Sequence, residues 1–165
     1  MAEPTPSGTP GLHPALVRNS GYLLSRMGFF AARVFSQRLE AIGLTPRLWG
    51  ALNVLDADGA VTQQRLGLEI GTDPSSMVAT IDELESQGLV ERRPHPSDRR
   101  AHAIHITPAG RRTLERGREL SKEAQEELLG PLTESERVQL HDFLMRLATA
   151  AGGGTHPGLP ARPET

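Results

Sequence analysis

Between residues 89 and 112 the chain carries six arginines, Arg92, Arg93, Arg99, Arg100, Arg111 and Arg112, against two acids, Glu91 and Asp98. The whole chain has a formal net charge of −2, so this basic excess is local. Guanidinium groups gathered in one segment suit phosphate contact, where released counterions supply much of the affinity. Just upstream, Ser75, Ser76, Ala79 and Thr80 fall on the face of a helical pattern turned away from Met77, Ile81 and Leu84. Small hydroxyl and methyl groups can approach base edges and thymine methyls in a major groove. The plain alternative is an amphipathic helix whose polar face meets only water. The short turn before this helix and the arginines after it favour nucleic acid.

Other chemistries find less support. The histidines stand at 13, 95, 102, 105, 141 and 156. His102 and His105 are three apart on a strand pattern and so face opposite sides. No His-Glu-x-x-His, Gly-x-Ser-x-Gly or phosphate-loop spacing occurs, which argues against an enzyme. His13 and His141 offer no ligand spacing for a metal, and scattered surface histidines are the simpler reading. The chain has no cysteine, which excludes disulfides, thiolate-bound zinc, iron–sulfur clusters and thiol redox sensing. No cofactor is expected. Apolar runs fall short of the ~20 residues of a membrane span, and Met1-Ala2-Glu3-Pro4 does not open a signal peptide. A soluble cytoplasmic protein without membrane contact is expected. Trp49, the single tryptophan, reads first as core packing and second as the wall of an apolar effector pocket. Phe30, Arg33 and Arg47 complete the candidate ligand set, the arginines as partners for an anion.

The elements that position these groups are marked by their punctuation. A length of 165 residues suits one domain. Segments 1–14 and 151–165, rich in proline and glycine, have too little apolar surface to offset chain entropy and are expected to be disordered tails. The spacing of Leu16, Leu23, Met27, Phe30, Val34, Phe35, Leu39 and Ile42 predicts one helix over about 14–42, stopped by Gly43. Thr45-Pro46 opens a second helix, Thr62 a short third ending near Gly71, and Asp73-Pro74 a fourth ending at Gly88. A turn of only Gly71-Thr72 between the third and fourth gives helix-turn-helix geometry. Segments 89–93 and 103–106 read as strands around a polar tip at 94–100, a hairpin wing. Thr107-Pro108 opens a fifth helix, Gly130-Pro131 breaks it, and the capping box Thr133-Glu134-Ser135-Glu136 opens the last. The expected fold is mainly α with a small β-hairpin, a winged helix-turn-helix over 15–150. Its reading head covers about 45–107, and dimerisation helices cover about 14–42 and 107–150. The first stripe, with Val138, Phe143, Leu144 and Leu147, exceeds what a small head needs, which predicts a twofold dimer.

Leu44-Thr45-Pro46-Arg47-Leu48-Trp49, Thr62-Gln63-Gln64, Ile81-Asp82-Glu83-Leu84-Glu85 through Gly88-Leu89-Val90-Glu91-Arg92, Asp98-Arg99-Arg100 and Ile106-Thr107-Pro108-Ala109-Gly110 together resemble the MarR family of bacterial transcriptional regulators. The resemblance spans about 15–150. It implies a homodimer on a pseudo-palindromic operator in double-stranded DNA, more a repressor than an activator. It also implies release by a small phenolic or anionic effector bound between the dimer helices and the reading head. Arg100 would enter the minor groove, with Asp98 holding the wing arginine. The full expected DNA-contact set is Thr62, Gln63, Pro74, Ser75, Ser76, Ala79, Thr80, Arg92, Arg93, His95, Arg99 and Arg100, with Asp82 and Asp98 supporting the wing. Ala79 and Glu83 stand where many members carry arginine, which shifts the reading towards wing contacts, thymine methyls and DNA shape. A winged helix answering to a metal or to a protein partner is the alternative.

Overall fold

Among the described residues seven helices and three short strands follow one another: α1 (Pro14–Val17), α2 (Ser20–Glu40), α3 (Pro46–Asp58), β1 (Val61–Thr62), α4 (Gln63–Ile70), α5 (Pro74–Ser86), β2 (Val90–Pro94), β3 (His102–Ile106), α6 (Pro108–Leu129) and α7 (Glu134–Ala151). The computed structural model describes residues 12–94 and 102–151. Side-chain oxygens open five of the helices, Asn19 before α2 among them. Thr45 accepts from Leu48 N before α3, Thr62 from Arg65 N before α4, Asp73 from Ser76 N before α5, and Thr107 from Gly110 N before α6. Each takes an N–H that the first turn leaves unpaired. Proline then follows in α3, α5 and α6, where its missing N–H costs no hydrogen bond. At α7 the Glu136 carboxylate accepts from Thr133 N and Thr133 Oγ1, both at 2.8 Å.

Two expectations change. The single helix over 14–42 is broken at residues 18 and 19, because Asn19 turns its side chain back to accept from Tyr22 N at 3.0 Å. A short amide that competes for the backbone favours a cap over a helix interior. The hairpin also gains a third strand. β1 is too short to show any periodicity, yet it pairs antiparallel with β3, Val61 opposite Ile104. The sheet order is β1-β3-β2, with Val90 opposite Ile106 and Arg92 opposite Ile104. The predicted left-handed stop is present at Gly43, φ 71°, where Leu44 N donates to Leu39 O at 3.1 Å.

The core lies in the reading head and at its junction with α2 and α6. Leu39, Leu44, Leu48, Leu52, Leu55, Leu66, Met77, Ile81, Leu84, Ile104 and Leu114 are fully buried. By contrast α7 buries no residue, and Leu16, Leu24, Met27, Phe29 and Phe30 are exposed along α1 and α2. Among the described residues no helix is long and apolar enough to cross a membrane.

One backbone contact ties the head to α6. Thr107 N donates to Leu89 O at 3.0 Å, Thr107 Oγ1 donates to Gly88 O at 2.8 Å, and Gly110 N donates to Thr107 Oγ1 at 3.0 Å. A Cβ on Gly110 would lie 2.1 Å from Leu89 O and 2.8 Å from Ile106 Cγ1. The Leu89 carbonyl is backbone and cannot retreat without opening the base of the wing. Gly50, inside α3, has only Ile70 Cγ2 at 4.0 Å from such a Cβ.

Gly110→Ala is therefore expected to lower the unfolding free energy by about 3 kcal/mol. Gly50→Ala is expected to raise it by up to about 1 kcal/mol through helix propensity. Urea denaturation of the two variants checks both signs. The cap at Asp73 gives a pH prediction. Hydrogen bonds from the Ser75 hydroxyl first, then from Ser76, hold its carboxyl well below the ordinary 3.8. A depressed folded value means the stabilisation is complete above 3.8 and lost as pH falls through the lower folded value. The melting temperature of Asp73→Ala should lie below wild type at neutral pH. The gap should close only in strong acid.

Candidate nucleic-acid interface

α4 ends at Gly71, φ 65°, where Thr72 N donates to Gly67 O at 2.9 Å, and α5 begins at Pro74. The two helices pack closely because position 67 lacks a side chain. A Cβ there would meet Thr72 O at 3.2 Å and Met77 Cγ at 3.6 Å. α5 buries Met77, Thr80, Ile81 and Leu84. Its outward stripe is Ser75, Val78, Ala79, Asp82, Glu83 and Ser86, all exposed at helical spacing.

Thr80 corrects an expectation. It is 3% exposed, and its Oγ1 donates to Ser76 O at 2.7 Å. One residue before Ile81, it lies on the core side of the helix, so it is not part of the outward face. Ser75 is exposed, with its hydroxyl donating to Asp73 Oδ1 at 2.6 Å, and Ser76 is half-buried. Pro74 is exposed, while Thr62 and Gln63 are half-buried at the start of α4. Val78, 43% exposed, belongs to the outward stripe and was missed. Its position three residues after Ser75 was the available signal.

The arginines are less free than their number suggests. Arg92 Nη2 donates to Asp82 Oδ1 at 2.5 Å, its Nη1 pairs with Glu85, and its backbone N donates to Glu85 Oε1 at 3.2 Å. The Arg92 side chain is only 25% exposed, and these carboxylates hold its guanidinium more firmly protonated against the opposing cost of burial. It clamps β2 to α5 and gives Asp82 a partner at the wing base. Glu85, one turn from Asp82, was not anticipated. Arg93 pairs with Glu91, and Arg111 pairs with Asp56, which also receives Arg118 Nη2 at 2.9 Å. Arg112 is exposed without an acidic partner among the described residues. His95, Asp98, Arg99 and Arg100 lie outside the described residues.

The expected ligand quartet does not converge. Phe30 and Arg33 lie exposed one turn apart on α2. Arg47 opens outward into a cleft with Ala79 and Glu83. Trp49, two residues on, packs inward, because residues i and i+2 of a helix do not share a face. Its ring meets Phe35 edge-on, centroids 5.1 Å apart at 84°. A Cβ on Gly117 of α6 would lie 2.7 Å from Trp49 Cδ1. Trp49 Nε1 is buried without a hydrogen-bond partner among the described residues. A separate cavity of about 290 Å³ lies between α2, α6 and α7, lined by Phe35, Leu128, Arg137, His141 and Leu144 among others. Among the described residues no group of three His, Cys, Asp or Glu side chains could hold a metal.

Comparison with known proteins agrees with this geometry. Residues 42–101 match a family model described as MarR family. A protein of Thauera aromatica, named as a transcriptional regulatory protein for the hcr operon, is 31% identical over 137 residues, which cover 82% of each chain. The transcriptional repressor CouR, solved bound to a 23-mer DNA duplex, superposes with a TM-score of 0.75 at 30% identity, covering 85% of this chain and 99% of that one. CouR from Rhodococcus jostii RHA1, solved bound to p-coumaroyl-CoA, gives a TM-score of 0.67 at 33% identity, covering 82% and 95%. The chain belongs to the MarR family of winged helix-turn-helix, DNA-binding transcriptional regulators.

Proposed function

We propose that the protein is a cytoplasmic, nucleoid-bound homodimeric repressor that reads a pseudo-palindromic operator and leaves it when a small aromatic acid or its thioester binds. The observation that carries the operator reading is the outward stripe of α5, where Ser75, Val78 and Ala79 present only small groups beside a hairpin rich in arginine. Such a surface fits a major groove closely and makes apolar contact with thymine methyls. In this reading Pro74, Ser75, Ser76 and Ala79 face the major groove, and Thr62 and Gln63 face the backbone. Arg93, His95, Arg99 and Arg100 serve the wing, with Asp98 orienting its arginines. Arg100 enters a narrow, A·T-rich minor groove, where negative potential is concentrated.

The dimer is supported by the apolar residues left exposed on α2 and α7, Phe29 at 76% and Phe143 at 55% among them. A helix that buries nothing within its own chain needs a partner surface, and a twofold pair supplies the same patch twice. The effector is supported by the orphaned Trp49 Nε1, since a buried donor without an acceptor costs about 1–3 kcal/mol. A ligand carbonyl or carboxylate at the junction of α2, α3 and α6 would satisfy it. Such a ligand would shift the protein away from DNA only by its preference for the released arrangement.

Arg100→Ala is expected to weaken operator binding by about 1–3 kcal/mol per half-site and to flatten the preference for A·T flanks. Binding to operators with varied cores and flanks, at two salt concentrations, checks this, and wild-type behaviour of the variant on every operator would exclude the wing as a reader. Repeating the assay with aromatic acids and their thioesters should release wild type at lower ligand concentration than Trp49→Phe. Sedimentation should show a dimer at micromolar protein, and a stable folded monomer would refute the assembly.

A further inference from the structure

The second half of α5 turns three acids outward, Asp82, Glu83 and Glu85. A helix entering a groove between two phosphate backbones cannot leave such charges uncompensated. Arg92 pairs with both Asp82 and Glu85 and offsets one of their two charges. Glu83 has no ionic partner among the described residues. It borders an open cleft of about 420 Å³ shared with Thr45, Arg47 and Leu48 of the α3 start and with Ala79 and Thr80 of α5. Arg47 is exposed and likewise has no acidic partner among the described residues. The cleft exists because Ala79 projects only a methyl group into it. Its walls are tied together where Gln87 Nε2 donates to Gly43 O at 3.4 Å. It opens beside the outward stripe of α5, on the face that carries Ser75 and Val78.

A guanidinium and a carboxylate, neither paired among the described residues, therefore share one cleft beside the recognition surface. A guanidinium has five donors in a fixed fork, enough for a phosphate oxygen and a carboxylate together. A carboxylate in a major groove accepts from the cytosine amino group and from no other base edge as well. We propose that Arg47 and Glu83 form a two-part DNA reader across the cleft left open by Ala79, with Arg47 on an operator phosphate and Glu83 on a cytosine N4 amino group. This inference rests on the operator-binding reading above. Arg47 supplies from α3 the positive charge that α5 lacks, and shields Glu83 from the phosphates.

The test uses the full chain, with folding checked by circular dichroism, on an operator array in which each half-site base pair is varied. Arg47→Ala should weaken binding to all operators by about tenfold and lower the salt slope by about one per half-site. Glu83→Gln should leave Arg47's contribution to the salt slope in place and move the preference at one half-site position away from cytosine, towards adenine. Ala79→Leu should fill the cleft and reproduce the affinity loss of Arg47→Ala. Wild type that binds selectively, with Arg47→Ala and Glu83→Gln unchanged in affinity and base preference, overturns this inference and leaves the operator-binding reading intact. Arg47→Ala that binds like wild type but no longer answers aromatic acids places a small anion in the cleft and also overturns it. Wild type that binds no operator overturns both readings.

Discussion

The bare backbone of Gly110 resting on the Leu89 carbonyl is the contact on which the rest of the molecule depends. At this point the turn between α5 and β2 and the start of α6 both hydrogen-bond to one threonine, the residue that follows β3. Leu89 O accepts from both Thr107 N and Thr107 Oγ1, the second at 3.2 Å. Register in the hairpin is set from there, because Val90 and Ile106 are the first pair beyond the knot. Alternation along β2 then decides what each arginine does. Arg92 shares the side of buried Val90 and meets α5, whereas Glu91 and Arg93 share the other side and meet each other.

Charge in this fold is arranged in closed local sets. Asp82 and Glu85 take Arg92, Asp56 takes Arg111 and Arg118, and Arg38 reaches Glu123 and Glu127. These pairs are partly exposed, so their worth lies more in holding geometry than in stability. They fix the angle between the elements they join. They also leave Arg47, Glu83 and Arg112 as charges at the head surface that α5, α3 and α6 have not already matched among the described residues.

Much of this was legible in the sequence, for a local reason. Caps such as Thr45, Asp73 and Thr107 act within four residues, so their spacing alone identifies them. The fold class and the helix-turn-helix followed from that punctuation. Properties that depend on partners distant in the chain were not legible. Arg92 counted as phosphate chemistry because the acids that neutralise it lie seven and ten residues upstream, across a helix-to-strand turn. Thr80 looked polar and therefore outward, but its hydroxyl closes on the Ser76 carbonyl and leaves a methyl for the core. Arg47 and Trp49 looked like one pocket because they are close in sequence, and helix geometry sends them to opposite walls.

The Asp56 fork has a mechanical consequence. Arg111 and Arg118 are two turns apart on α6, so one carboxylate at the end of α3 grips a length of that helix instead of a point on it. Head and α6 must pivot as a unit. With 22 residues, α6 is a lever about 33 Å long. A tilt of about 10° at its far end would sweep the head through roughly 6 Å, close to two base-pair steps of a duplex. Small repacking near α7 is in this way geared up into a spacing error at the head.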